Sequence, residues 1–206
     1  MDVRLKHAFT CTVAGPTNSG KTWFVFRLLK HAENMITPPP EKIVYCYGEF
    51  QPIFAEYPSV EFHEGLPSVD RFDGRQRVLL IIDDLMNEAD QSVCDLFTKL
   101  SHHRSVSVVF ITQNLFHKNK FVRTMNLNTH YIVMFKNPRD ASQVAVLARQ
   151  MYPGKSRFVV EAFQDATKKP HGYLLIDLRP ETDDAYRIRT NIFPDDDRQY
   201  VYVPKV

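Results

Sequence analysis

VAGPTNSGKTWFVFRLL, from Val13 to Leu29, is the stretch that decides the fold. Within it, Gly15-Pro16-Thr17-Asn18-Ser19-Gly20-Lys21-Thr22 matches G-x-x-x-x-G-K-[ST] at every defined position. FTCTVAG before it reads as a strand. KTWFVFRLLKHAEN after it reads as a helix, with Phe24, Leu28 and either Phe26 or Leu29 toward the core. The motif carries physical meaning in that strand-to-helix setting. There, glycines let backbone N–H groups wrap phosphate oxygens, and the helix N-terminus adds partial positive charge. Lys21 would reach the β- and γ-phosphates of ATP, and the Thr22 hydroxyl would ligate Mg²⁺. A turn with chance glycines is the competing account, and the flanking strand and helix weigh against it.

Outward from this stretch, TPPPEK ends the helix, because its prolines cannot continue one. KIVYCYG is a second strand. Residues 51–76, with Pro52, Pro58 and Pro67, read as irregular with one short helix. RVLLIIDDL is apolar on both faces, as a strand inside a parallel sheet is. EADQSVCDLFTKLSHH reads as a helix, and VSVVFITQN and HYIVMFK as buried strands. RDASQVAVLARQMY and KSRFVVEAFQDAT have helical apolar spacing, and GYLLIDL is a further strand. Strands alternating with helices predict the α/β class. The expected fold is a P-loop NTPase of the ASCE type, with a mostly parallel central sheet flanked by helices. Residues 1–178 are expected to form the ATPase domain. Residues 179–206, polar and acidic with Asp183, Asp184 and Asp195 to Asp197, are expected to be a C-terminal extension, as a hairpin or a mobile tail.

Two more stretches carry chemistry. VLLIIDDL ends a buried strand in Asp83 and Asp84, and a buried carboxylate needs a cation or a solvent opening. Asp83 is placed to complete a Mg²⁺ shell, and Asp84 to polarise an attacking water, with Glu88 in reserve. Solvated acids at an exposed strand end are the alternative. VSVVFITQN ends in Gln113, a polar residue placed to sense a γ-phosphate if its strand lies between the P-loop strand and the Asp83 strand. An ordinary strand-to-loop turn is its bland reading. Arg104, just before that strand, is a candidate arginine finger for a neighbouring subunit's nucleotide, or else a solvated surface residue. His102 and His103 suggest a metal pair, but no third ligand accompanies them, so surface or interface roles are expected.

Composition narrows the classes. With 206 residues, 44% hydrophobic and 24% charged, the chain is long enough for a sizeable core. A net charge of +2 is too mild to indicate nucleic acid by itself. Cys11, Cys46 and Cys94 have no zinc-ligand spacing and read as buried free thiols. The N-terminus lacks a signal-peptide core, and VLLII is far shorter than a membrane span of roughly 20 residues. A soluble, intracellular protein without a membrane span is expected.

The order of P-loop, IIDD, a basic residue and a strand ending in TQN resembles the FtsK/HerA superfamily of DNA-pumping ATPases. Within it, the chain is similar to the poxvirus-type viral packaging ATPases. The block FKNPRDASQVAVLARQMYPGKSRFVVEAFQDATKKPHGYLLIDL is especially similar to those of Polinton (Maverick) elements and adintoviruses. The resemblance spans roughly Phe9 to Leu178. The P-loop is generic, and its combination with ITQN and NPRD…LARQMYPG is far more specific. It implies a homo-oligomeric ring at a capsid vertex that hydrolyses ATP to thread double-stranded DNA into a preformed capsid. Partners would be that DNA and capsid or portal proteins. The setting would be the host nucleus or a cytoplasmic virus factory, with virion association. By family role, Lys21 and Thr22 bind nucleotide and Mg²⁺, Asp83 binds Mg²⁺, and Gln113 is the sensor. The family usually has Asp-Glu where this chain has Asp83-Asp84, which weakens the assignment of Asp84 as base. For the trans-acting arginine, Arg104 matches by position, with Arg139 and Arg149 as alternatives.

Beside the resemblance, Lys118, Lys120 and Arg123, interleaved with Phe116 and Phe121, suit a DNA backbone or an ordinary basic surface helix. Lys168 and Lys169 read as a solvated loop. Two other functions stay open: a nucleoside or nucleotide kinase, whose P-loop looks nearly the same, and a non-catalytic P-loop assembly switch.

Overall fold

Runs of aliphatic residues become strands here because both their faces are covered. A computed structural model describes residues 3–83, 93–94, 97, 104–116, 124–125 and 127–205. In chain order the strands are β1 (Leu5–Lys6), β2 (Thr10–Ala14), β3 (Ile36–Thr37), β4 (Lys42–Tyr47), β5 (Glu61–Glu64), β6 (Val78–Asp83), β7 (Val106–Thr112), β8 (Tyr131–Phe135), β9 (Tyr173–Asp177), β10 (Ile188–Thr190) and β11 (Tyr200–Tyr202). The helices are α1 (Lys21–Lys30), α2 (Ala32–Met35), α3 (Ser142–Met151) and α4 (Ser156–Ala166). Every residue of β2, β6, β7, β8 and β9 is buried.

Nine strands form one sheet in the order β11-β10-β9-β8-β2-β7-β6-β4-β5, and β1 pairs with β3 separately. From β5 to β8 all neighbours are parallel. The pairs β8–β9, β9–β10 and β10–β11 are antiparallel. Strand β7, which leads to Gln113, therefore lies between β2 and β6, the insertion on which the reading of Gln113 depends. Alternation along each strand separates two cores. Leu79, Ile81, Val109, Ile111, Val133 and Phe135 face α1, whose Phe24, Phe26, Leu28 and Leu29 are all buried. On the other face, Leu80, Ile82, Val108 and Phe110 form a second cluster, and Ile132, Met134, Leu174 and Ile176 pack under α3 and α4.

Several details differ from the sequence-based expectation. The first helix stops at Lys30, and the short α2 follows before the prolines. Residues 51–76 hold two 3₁₀ turns and also β5, parallel to β4. EFHE escaped reading as a strand because, at the sheet edge, none of its residues is buried. Segment 179–206, expected as a hairpin or a mobile tail, holds the antiparallel pair β10–β11, a hairpin that continues the same sheet and buries Phe193 completely against Phe24 and Tyr173 of the α1 core. Its acidic run is engaged too: the Arg27 guanidinium of α1 donates to Asp195 and, at 3.0 Å, to Asp196. The three cysteines are buried free thiols, and burial pushes Cys46 up to about 12. Among the described residues, no helix is long and apolar enough to cross a membrane.

Candidate active site

The P-loop begins where β2 and β7 end together. Ala14 is in register with Thr112, and the Gly15 N–H donates to the Thr112 carbonyl at 3.2 Å. A Cβ on Gly15 would lie 2.6 Å from Ser19 Oγ and 2.7 Å from Phe135 Cβ, so only glycine fits there. Gly20 is needed for another reason: its φ of 108° is left-handed. Asn18, with φ of 62°, takes the left-handed conformation its side chain tolerates.

α1 opens without a side-chain cap and without an acidic residue in its first turn. The first N–H groups of a helix have no intrahelical partner, so an outside acceptor suits them. Ser19 Oγ is buried with no hydrogen-bond partner among the described residues. Lys21 Nζ donates to the Gly15 and Pro16 carbonyls at 2.7 and 2.9 Å, which folds the ammonium over the loop. This cradle fits a polyanion with several acceptor oxygens.

Around it, Thr17, Asn18, Lys21, Thr22, Gln51, Asp83, Thr112 and Gln113 line one cleft of about 190 Å³. All the carboxyl-terminal strand ends of the parallel half point to this edge, where open α/β sheets place ligands. Among these, the Thr22 hydroxyl and the Asp83 carboxylate are oxygen ligands of the kind that Mg²⁺ takes. Asp83 is 7% exposed. The Tyr45 hydroxyl, from neighbouring β4, donates to Asp83 Oδ2 at 2.5 Å. Burial, reinforced by Asp83, pushes the Tyr45 phenol far above its ordinary range, so it stays a donor. Its ring stacks on Phe26 of α1 at 5.5 Å, which links the P-loop helix to the carboxylate.

Gln113 is exposed and stands between two cavities, because it also lines a larger, mainly apolar cleft of about 450 Å³ with Gly15, Phe135, Asn137 and Phe163. The turn after it is fixed by Leu115 N–H donating to Gln143 Oε1 at 3.1 Å and Phe116 N–H donating to Asn114 Oδ1 at 2.9 Å.

Arg104 is not brought to this cleft. It precedes β7 whereas Gln113 follows it, so the length of that seven-residue strand, about 23 Å, lies between them. Its guanidinium donates to the Val69 and Phe72 carbonyls at 3.0 and 2.7 Å and lies 3.6 Å from Asp70. Within one subunit it cannot reach the P-loop. Arg139 and Arg149 are both exposed. Neighbouring Asp140 accepts from Ser142 Oγ and Gln143 Nε2, which holds its carboxyl below the usual range. Asp84, Glu88, His102, His103, Lys118, Lys120, Phe121 and Arg123 lie outside the described residues.

Tyr45 and Gln51 were not singled out from the sequence. Tyr45 reads there as an ordinary apolar strand residue. Gln51 had a usable signal, since it follows the carboxyl end of a parallel strand. The Lys168–Lys169 loop is exposed, as expected, but it also forms a wall: His171, with φ of 60°, lies so that a Cβ on Gly20 would meet its Cβ and Nδ1 at 3.0 Å.

No protein-family model matches the sequence, and no curated protein matches it. Two solved structures of the genome packaging NTPase B204 from Sulfolobus turreted icosahedral virus 2 are similar to the chain. The complex with ATP-gammaS is 13% identical, with a TM-score of 0.50 over 100% of both chains. The complex with AMPPCP is 14% identical, with a TM-score of 0.50 over 96% of this chain and 98% of that one. At this identity the likeness is one of fold. With the cradle between β2 and α1 and with β7 inserted beside β6, the chain has the P-loop NTPase fold, a mostly parallel sheet flanked by helices.

Proposed function

We propose that this protein is an ATP-hydrolysing motor that works as a homo-oligomeric ring and packages double-stranded DNA into a preformed capsid. The observation that carries the reading is the meeting of Lys21, Thr22, Asp83 and Gln113 at one cleft, from three separate strand ends. The likeness to a viral genome packaging NTPase supports the packaging role. In this reading Lys21 leaves the Gly15 and Pro16 carbonyls for the β- and γ-phosphates. Thr22 and Asp83 hold Mg²⁺, which neutralises charge on the phosphates. Asp84 activates water, and Gln113 reads the γ-phosphate toward the rest of the chain. Arg104 acts on a neighbouring subunit's nucleotide, which needs a ring that brings its edge of the sheet against the next P-loop. Capsid or portal proteins are the partners, and the site of action is the host nucleus or a virus factory, with virion association.

A kinase is the second reading, and one observation favours it. The 450 Å³ cleft beside Gly15 and Gln113 has the size of a small-molecule acceptor site.

ATP hydrolysis, measured with and without long duplex DNA at low and moderate salt, separates the readings. Duplex-stimulated turnover that weakens with salt and is absent in Lys21→Ala is expected of the motor. Turnover indifferent to DNA, with phosphate transferred to a nucleoside, is expected of the kinase. Tight ATP binding without turnover by assembled rings would leave the assembly switch. Mixing Arg104→Ala with Asp83→Ala subunits tests the trans role: mixed rings should regain activity, and intact rings that regain none contradict it.

A further inference from the structure

A cleft of about 730 Å³ lies on the outer side of α1, lined among others by Gly20, Trp23, His171, Asn191, Tyr200 and Tyr202. It begins at the last P-loop residue before the helix. Its walls come from α1, the 168–172 loop and the β10–β11 hairpin, which are far apart in sequence. Trp23 is 53% exposed and Tyr200 48%. Exposed aromatics of this size are few among the described residues, and two of them face this cleft.

The walls are tied together. The Arg27 guanidinium lies 4.6 Å from the centre of the Trp23 ring and is itself held by Asp195 and Asp196 of the hairpin. The Tyr202 hydroxyl donates to Asp165 at 2.8 Å, and Lys168 Nζ donates to the same carboxylate at 2.6 Å. Gly172 closes the loop so tightly that a Cβ there would sit 2.3 Å from the Ala166 carbonyl oxygen.

We propose that the nucleoside half of the bound triphosphate occupies this cleft, its base stacked against the aromatic surface of Trp23 and Tyr200. The proposal rests on the nucleotide reading above and adds where the base goes. Size supports it: the phosphate cleft of about 190 Å³ is smaller than the roughly 300–1,000 Å³ of small-molecule sites, whereas this cleft lies within that range. Direction supports it as well. Asp83 and Gln113 mark the γ-phosphate end, so the phosphate chain runs along the loop toward Gly20 and the first turn of α1, where Trp23 follows Thr22. The 450 Å³ cleft opens instead on Gln113, and a base placed there would have to double back past the γ-phosphate. The C-terminal hairpin thereby becomes part of the nucleotide site.

The test compares ATP with inorganic tripolyphosphate, which has the charge without the base. Trp23 is the chain's single tryptophan, so its emission reports this cleft alone. ATP should shield Trp23 from acrylamide quenching, and tripolyphosphate should not. Tyr200→Ala should weaken ATP binding roughly 5- to 150-fold, the range for a lost base–aromatic stack, with tripolyphosphate affinity unchanged. Tyr200→Phe should restore ATP affinity, which separates stacking from a folding defect. ATP that binds by equilibrium dialysis, leaves Trp23 open to acrylamide and is indifferent to Tyr200→Ala overturns this placement of the base. Absence of ATP binding by dialysis overturns the nucleotide reading itself, and this inference with it.

Discussion

The two halves of the sheet are built by different means. In the parallel half, β5-β4-β6-β7-β2-β8, the central strands are nearly continuous aliphatic runs, and the P-loop, Asp83 and Gln113 stand at their carboxyl ends. In the antiparallel half, β9-β10-β11, an ion pair is buried: Arg189 Nη2 and Asp177 Oδ2 lie 3.2 Å apart, with side chains 6% and 7% exposed. Burial pushes the Asp177 carboxyl up, opposed by the Arg179 N–H and by Arg189. The Thr190 hydroxyl donates to the Tyr173 carbonyl at 2.6 Å, and the Arg189 guanidinium reaches back to the Val3 carbonyl. One half thus presents a motif on an apolar platform. The other fixes its geometry through specific polar pairs and closes over α1. Function should accordingly be lost by single polar substitutions in the first half, and stability in the second.

The largest expected effect is on activity. Lys21→Ala should bring turnover to background while the fold persists by circular dichroism. Undiminished turnover would break the assignment of chemistry to the parallel half. Next come two changes in the antiparallel half. Phe193→Ala should cost about 3–5 kcal/mol in denaturant unfolding, as a large buried ring does. Arg189→Leu should cost a similar amount, about 3–5 kcal/mol, because Asp177 is left buried without its cation. Losses below about 1 kcal/mol for both would mean that segment 179–206 is an appendage after all.

A smaller effect sharpens the site. Tyr45→Phe keeps the stack on Phe26 and removes the donor to Asp83. The Mg²⁺ concentration for half-maximal hydrolysis should rise roughly 10-fold, as for loss of a group that orients a metal ligand, with a stability loss of about 1–3 kcal/mol from the buried acceptor losing this donor. An unchanged Mg²⁺ requirement would place the metal elsewhere.

The smallest effect concerns the start of β7. His7 Nδ1 is 2.7 Å from Ser107 Oγ, and Nε2 is 3.3 Å from Ser105 Oγ. Burial first, then Arg77, lowers its pKa below the ordinary 6.5. The unfolded chain therefore binds the proton more readily, and the contribution of His7 is full above about pH 6.5 and is lost as pH falls below it. Between about pH 7.5 and about pH 5.5, the melting temperature of the wild type should fall slightly more than that of His7→Gln.

The halves also differ in how far the sequence reveals them. The P-loop is a local pattern, eight residues between a strand and a helix, and the apolar runs of β6 and β7 announce burial on both faces. Asp83 and Gln113 could therefore be selected from their places at strand ends. β5 carries no apolar pattern, because an edge strand that is half exposed has no need of one. Tyr45 could not be picked out, since its role depends on the register of β4 with β6, a long-range pairing. Trp23, His171 and Tyr200 meet only because the 168–172 loop and the hairpin both pack beside α1, and no spacing in the chain records that.

The most direct measurement is displacement of a triplex-forming oligonucleotide from long linear duplex DNA by the assembled protein. ATP-dependent displacement by the wild type, absent in Lys21→Ala, is the result expected of a translocating motor. ATP hydrolysis without displacement, or displacement that survives Lys21→Ala, would contradict it.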